Sequence, residues 1–343
     1  MRLTPALLPA CAALALACAP PPLADDDVGF LVPLAHARTF LPSSAGVLPR
    51  EVFDRLHPLT VVDEPDVLFG ALATVAVRLD PCFQEGNPPS ACRPQLRLVL
   101  QPVMDSPEGL TTRDAAVHVF FELDAATVKA TVKELNRLRV TQGGTFEREP
   151  WRSGATALLR GLVKRDRLSR VTQMSVHASN QAWVFNGYEV KGAALEDIRI
   201  ATVNVVEGHV TSTGGTMDLA LTLDPAPAAE PSLPDVLQKP RRDAASMAAL
   251  EKSAAALARL EDPAAHNPGT VDCGACHAAA TATRFLQGSP VKPMTPTPPD
   301  AVYADTRNLR AFGYFFATPA VSPRVKREIA AVRTTLAAQL EKP

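Results

Sequence analysis

By residue type and spacing, Cys273-Gly274-Ala275-Cys276-His277 is the stretch of this chain equipped for chemistry. Two thiols three positions apart reach one edge of a common partner, and the imidazole that follows is a ligand for iron or zinc. Three chemistries use the pattern. Thiols can add across the vinyl groups of a haem, with the imidazole as proximal iron ligand. They can cycle as a dithiol–disulfide pair, or they can supply part of a zinc site. The redox pair belongs beside a β-α-β pattern, which the flanking sequence lacks, and a zinc site needs a second pair of ligands that the sequence does not offer. With six cysteines and seven histidines in 343 residues, chance would produce C-x-x-C-H about 0.002 times.

The compartment implied by the N-terminus suits the first chemistry. Met1-Arg2, a mostly apolar Leu3 to Ala17 and then Cys18 describe a secretory signal peptide over residues 1–17. Ala15-Leu16-Ala17-Cys18 resembles a bacterial lipobox, which would make Cys18 a lipidated first residue; ordinary cleavage at the same Ala-x-Ala is the alternative. Either way the protein is expected to be exported, to the periplasm or as a membrane-anchored lipoprotein of the bacterial envelope, with residues 18–27 as a tether. Cys11 lies within the signal. Cys82 and Cys92 bracket a turn-rich loop, and an oxidising compartment would pair them in a disulfide that contributes about 2–3 kcal/mol. A net charge of −1 without basic blocks gives no sign of nucleic-acid binding.

The elements that must position the motif divide the chain in two. Val67–Phe69 leading into 73–79, then 95–101, 117–123, 171–177, 182–190, 197–205 and 217–223 read as strands. Helices are expected over 126–138, with Asp124 as cap, and over 155–164. Residues 28–224 are therefore expected to form an α+β or β-sandwich-like domain rich in antiparallel strands. Residues 225–242, dense in proline, read as an extended linker. Residues 243–343 read as a mainly α-helical domain. Its first helix runs from an Asp243 cap to Glu261, with Met247 and Leu250 on one buried stripe. A second runs from the motif to Gln287, with Gly288 at its end, and a terminal helix starts at Ser322-Pro323.

This C-terminal region resembles the c-type cytochromes, through the pentapeptide at 273–277 and its helical frame. The resemblance implies one covalent haem c on Cys273 and Cys276 with His277 as proximal iron ligand. For the far side of the iron, the candidates are Met294 in a proline-flanked loop, His266 in the loop before the motif, and Met247; an open position is the fourth possibility. Arg284 and Phe285 are candidate haem contacts, and Phe312, Tyr314, Phe315 and Phe316 candidate walls. His36, His57, His118, His177 and His209 lie on the first domain without metal-ligand spacing and read as structural. The expected function is one-electron transfer between redox partner proteins of the envelope, as a carrier and not an enzyme. Two other classes remain: a haem enzyme or gas sensor with an open distal site, and an envelope binding or structural lipoprotein whose work is done by residues 28–224.

Overall fold

The structure, a computed structural model, describes residues 21–83, 92–144, 146–177, 182–192, 194–199, 207–212, 220–287, 289, 301–305 and 307–340. Residues 1–17, expected as a signal peptide, and Cys18, Gly288 and Met294 lie outside the described residues.

A mixed α/β architecture is built on one antiparallel sheet. Its strands are β1 (Gly29–Leu31), β2 (Leu72–Phe83), β3 (Arg93–Ser106), β4 (Gly109–Thr112), β5 (Ala116–Glu122), β6 (Leu168–His177), β7 (Ala182–Lys191), β8 (Ala194–Asp197), β9 (Gly208–Ser212) and β10 (Leu221–Asp224). The order across the sheet is β1-β2-β3-β5-β6-β7-β9-β10, with β4 on β3 and β8 on β7. A disulfide between Cys82, at the end of β2, and Cys92, just before β3, joins the two strands, with Cα atoms 4.4 Å apart. A second hairpin pairs β11 (Phe312–Phe315) with β12 (Thr318–Val321).

Among the described residues, nine α-helices accompany the strands. They are α1 (Leu34–Phe40), α2 (Arg50–Phe53), α3 (Pro65–Ala71), α4 (Ala125–Gln142), α5 (Glu149–Arg160), α6 (Lys239–Ala244), α7 (Met247–Leu260), α8 (Cys273–Leu286) and α9 (Pro323–Leu340). Asp124 caps α4 as expected, accepting from Thr127 N at 2.7 Å. None of these helices is long and apolar enough to cross a membrane.

Side-chain alternation gives the sheet two different faces. On one, Val77, Leu79, Leu96, Leu98, Val117, Val119, Phe121 and Val171 join Val128, Val132 and Leu135 of α4 and Trp151 and Leu159 of α5 in one apolar core. The other face pairs Arg78 with Arg97, Arg97 with Phe120, Phe120 with Arg170, His118 with Thr172, and Met174 with Phe185 in register. Towards β9 this second face becomes apolar. There Met174, Trp183, Phe185 and Val210 pack with Leu250 and Leu257 of α7 and Ala275, Ala278 and Ala282 of α8.

Four expectations require correction. Val67–Phe69 is helical, within α3. Pro65 stands at the first helical position, and Leu68 N donates to Glu64 O at 3.0 Å, the bond of a helical turn. The helix placed from Asp243 to Glu261 begins instead at Met247. Ser246 is the cap, accepting from Ala249 N at 3.2 Å, and Asp243 belongs to the shorter α6. Met247 is consequently at the exposed start of α7, 50% accessible, and not on its buried stripe.

Residues 225–242 are also not an extended spacer. They contain a 3-10 turn at Leu233–Val236 and the start of helix α6, and Leu233 and Leu237 enter the same cluster as α7 and α8. Both cores draw on either side of this segment: Phe312, Tyr314, Val325, Ile329 and Leu336 complete the first, and Leu221 and Leu223 the second. The segment carries a buried carboxylate as well. Glu230 takes two bonds of 2.7 Å from Arg259 and one of 3.0 Å from His266.

Candidate functional site

Helix α8 starts at the motif. Asp272 is its N-cap, accepting from Ala275 N at 2.7 Å, and it is buried. The helix can lie close to β9 and β10 because position 274 is glycine: a Cβ there would meet Val210 Cγ2 at 2.9 Å and Asp272 Oδ1 at 3.3 Å. One helical turn then presents Cys273, Cys276 and His277 towards the polar half of the sheet.

His277 donates from Nδ1 to the carbonyl of Leu309 at 2.6 Å. A carbonyl only accepts, so Nδ1 carries the proton and Nε2 keeps its lone pair, the tautomer that a metal-ligating histidine uses. Burial lowers the affinity of this imidazole for a second proton, the Leu309 bond works against that shift, and Arg97 reinforces it. The Leu309 carbonyl is itself held in place: Thr281 on α8 donates to Asn308 O at 2.7 Å, and Tyr303 donates to Arg310 O at 2.8 Å. The His277 ring lies 4.9 Å from that of Phe185.

The thiols are free and differ in setting, Cys273 exposed and Cys276 half-buried. Cys273 opens to solvent, but the protein around it still pushes its thiol up to about 12, with Cys276 and Asp272 adding to the effect. Cys276 is raised too, chiefly by burial. A redox-active pair at a helix N-terminus has a lowered thiol pKa, so this pair is poorly suited to thiol–disulfide exchange. Thioether formation from neutral thiols has no such conflict.

Across from the motif stands His118 on β5, between Val99 of β3 and Thr172 of β6. Its protonation is pushed well below the ordinary histidine range, by burial first and then by Arg97, His277, Arg78 and Arg170. Around it the sheet is strongly basic. Arg97 lies 5.0 Å and Arg170 4.3 Å from the centre of the Phe120 ring. Arg78 is paired with Asp80 at 3.0 Å and with Glu328 of α9. Arg97, His118, Cys276 and His277 all keep accessible surface although they lie between sheet and helix, so the two layers do not close on each other there.

The loop preceding the motif is fixed from α9. Arg324 donates to Leu260 O at 2.8 Å, to His266 O at 2.6 Å and to Glu328 Oε1 at 2.9 Å. Arg327 donates to Glu261 O at 3.0 Å. His266 is held by this loop, with Nε2 3.0 Å from Glu230 and Nδ1 3.3 Å from Thr270 Oγ1.

The structure thus brings Cys273, Cys276 and His277 to one face and sets beside them His118, expected from the sequence to be structural, and Arg97, Arg170 and Phe185, which carried no expectation. The available signal was the period-2 recurrence of one charged or imidazole side chain on otherwise apolar strands: Arg78 and Asp80, Arg97, His118, Arg170. The other candidates lie elsewhere. Arg284 is exposed and bonds Gln287 at 3.0 Å, while Phe285 stacks under Arg242 at 4.2 Å. Phe312 and Tyr314 are in the first core, Phe315 packs with Tyr303, and Phe316 is 49% exposed. Among the described residues no group of three or more His, Cys, Asp and Glu is arranged to hold a metal ion by itself.

A haem fits these donors. Its iron needs protein ligands only along one axis, its two vinyl groups call for two neutral thiols, and its propionates call for cations such as those around Phe120. Comparison with protein-family models, with curated proteins and with solved structures finds no match to this chain.

Proposed function

We propose that this protein is an exported mono-haem c-type cytochrome that transfers single electrons in the bacterial cell envelope. In this reading Cys273 and Cys276 hold the haem through thioether bonds and residues 243–343 form its c-type segment. The observation that carries the reading is the bond from His277 Nδ1 to the Leu309 carbonyl. It leaves Nε2 unprotonated on the residue that follows Cys276, on the same helical turn as both thiols.

When bound, a haem supplies a one-electron iron couple. The chain's own residues do the rest. Leu309 O fixes the imidazole tautomer and raises its basicity as a ligand. Phe185, Met174 and the alanines of α8 exclude water from one side. The arginines of the sheet face offset negative charge that would otherwise be costly between two protein layers. Partners are redox proteins of the envelope, and the membrane itself if Cys18 is lipidated.

The test is a spectroelectrochemical titration of protein matured in a strain competent for haem attachment. A reversible one-electron wave, with no spectral change on adding carbon monoxide to the reduced protein, is the expected result. Tight carbon monoxide binding would replace electron carriage by a haem enzyme or sensor.

A further inference from the structure

Resting on the haem reading above, we infer that the second axial ligand of the iron is His118, supplied by the central strand of the sheet. Its position follows from register. His118 faces Thr172, and Met174, one step further along β6 on the same face, faces Phe185, whose ring touches His277. Two strand spacings across and one two-residue step along place the Cα atoms of His118 and Phe185 about 12 Å apart. His277 rises from the helix above Phe185, so the two imidazoles stand on opposite walls of the gap between α8 and the sheet.

The ring itself is prepared for the role. Among the described residues neither nitrogen of His118 has a hydrogen-bond partner, and the ring is only half-buried, so a nitrogen is accessible from the gap. A neutral imidazole is the ligating form. His266 is the poorer candidate, with both nitrogens already engaged by Glu230 and Thr270. Met174 shares the sheet face, but its sulfur is 2.8 Å from the Arg310 guanidinium, which donates to it.

The experiment is electron paramagnetic resonance and optical spectroscopy of the matured full-length protein and of His118→Ala, His118→Gln, His266→Ala and Met294→Ala. The wild type, His266→Ala and Met294→Ala are expected to be low-spin without a methionine–iron charge-transfer band. Both His118 variants are expected to become high-spin, and added imidazole is expected to return His118→Ala to low spin. The glutamine variant keeps the side chain's bulk, so a spin change in it with an unaltered far-UV spectrum separates ligation from misfolding. A high-spin wild type, or His118 variants that stay low-spin, would overturn the assignment while leaving covalent haem intact. Absence of haem after denaturation would overturn the reading beneath it and this one too.

Discussion

Glu328 is where the architecture around the site can be tested most sharply, because one carboxylate joins α9 to both the sheet and the loop before the motif. It pairs with Arg78 and accepts from Arg324 at 2.9 Å, and both arginines are nearly inaccessible, at 4% and 10% of their side-chain surface. Burial opposes its charge, but Arg78, Arg324 and Arg97 outweigh that and hold the carboxyl down to about 2. Glu328→Gln keeps the volume and removes the charge. Breaking a buried pair costs about 3–5 kcal/mol. The lower end applies here, because Asp80 still faces Arg78 and Arg324 still donates to the carbonyls of Leu260 and His266. Urea unfolding at pH 7, followed by far-UV circular dichroism, is expected to lose about 3 kcal/mol with an unchanged denaturant slope. The pH dependence fixes the cause. A carboxyl whose folded value lies below its unfolded one contributes fully above the ordinary glutamate range and loses that contribution as pH falls towards about 2. The gap between wild type and variant should therefore close on acidification. A loss below about 1 kcal/mol at pH 7, or one that persists at pH 2, would refute the reasoning.

Other perturbations probe the motif itself. Asp272 is buried and its carboxyl is raised, by burial first, against the bonds from Ala275 and its neighbours. Its contribution is thus greatest below the ordinary aspartate value and declines as pH rises through the folded one. Asp272→Asn should match or exceed wild-type stability at pH 7, whereas Asp272→Ala should lose about 1 kcal/mol with the cap; equal losses in chemical denaturation would contradict this. Gly274→Ala should cost about 1–3 kcal/mol by crowding Val210, read as a lowered unfolding midpoint, and no change would mean that α8 does not lie against β9. In apoprotein, iodoacetamide should alkylate Cys273 at pH 8 at least about tenfold more slowly than in the urea-unfolded chain, a factor kept small because the side chain is partly open to solvent. Equal rates would remove the case against a redox pair.

What the sequence made legible was mostly local. The Asp124 cap, the Cys82–Cys92 bridge, the strands at 95–101, 117–123 and 182–190 and the helix opening at the motif all follow from short-range signals, and the structure has each of them. The misread elements are those where a local signal was read too coarsely. Val67–Phe69 is an apolar run, but Pro65 opens a helix there, and the cap of α7 is Ser246 and not the expected Asp243. Proline density between 225 and 242 hid the fact that Leu233, Leu237 and Glu230 each make long-range contacts. His118 was beyond reach for a related reason. Nothing within ten residues of it indicates a ligand, and only the pairing of β5 with β6 and of β6 with β7, far along the chain, brings it opposite His277. Sequence spacing finds the paired thiols because they share one helical turn; it does not find a residue delivered by sheet register.

The central claim is covalent haem at Cys273 and Cys276, and the intact mass of the denatured protein tests it most directly. From a strain that attaches haem c, the wild type should carry the mass of one haem through denaturation and reduction, and a Cys273→Ala/Cys276→Ala double variant should carry none. A wild-type mass equal to the bare polypeptide would contradict the account.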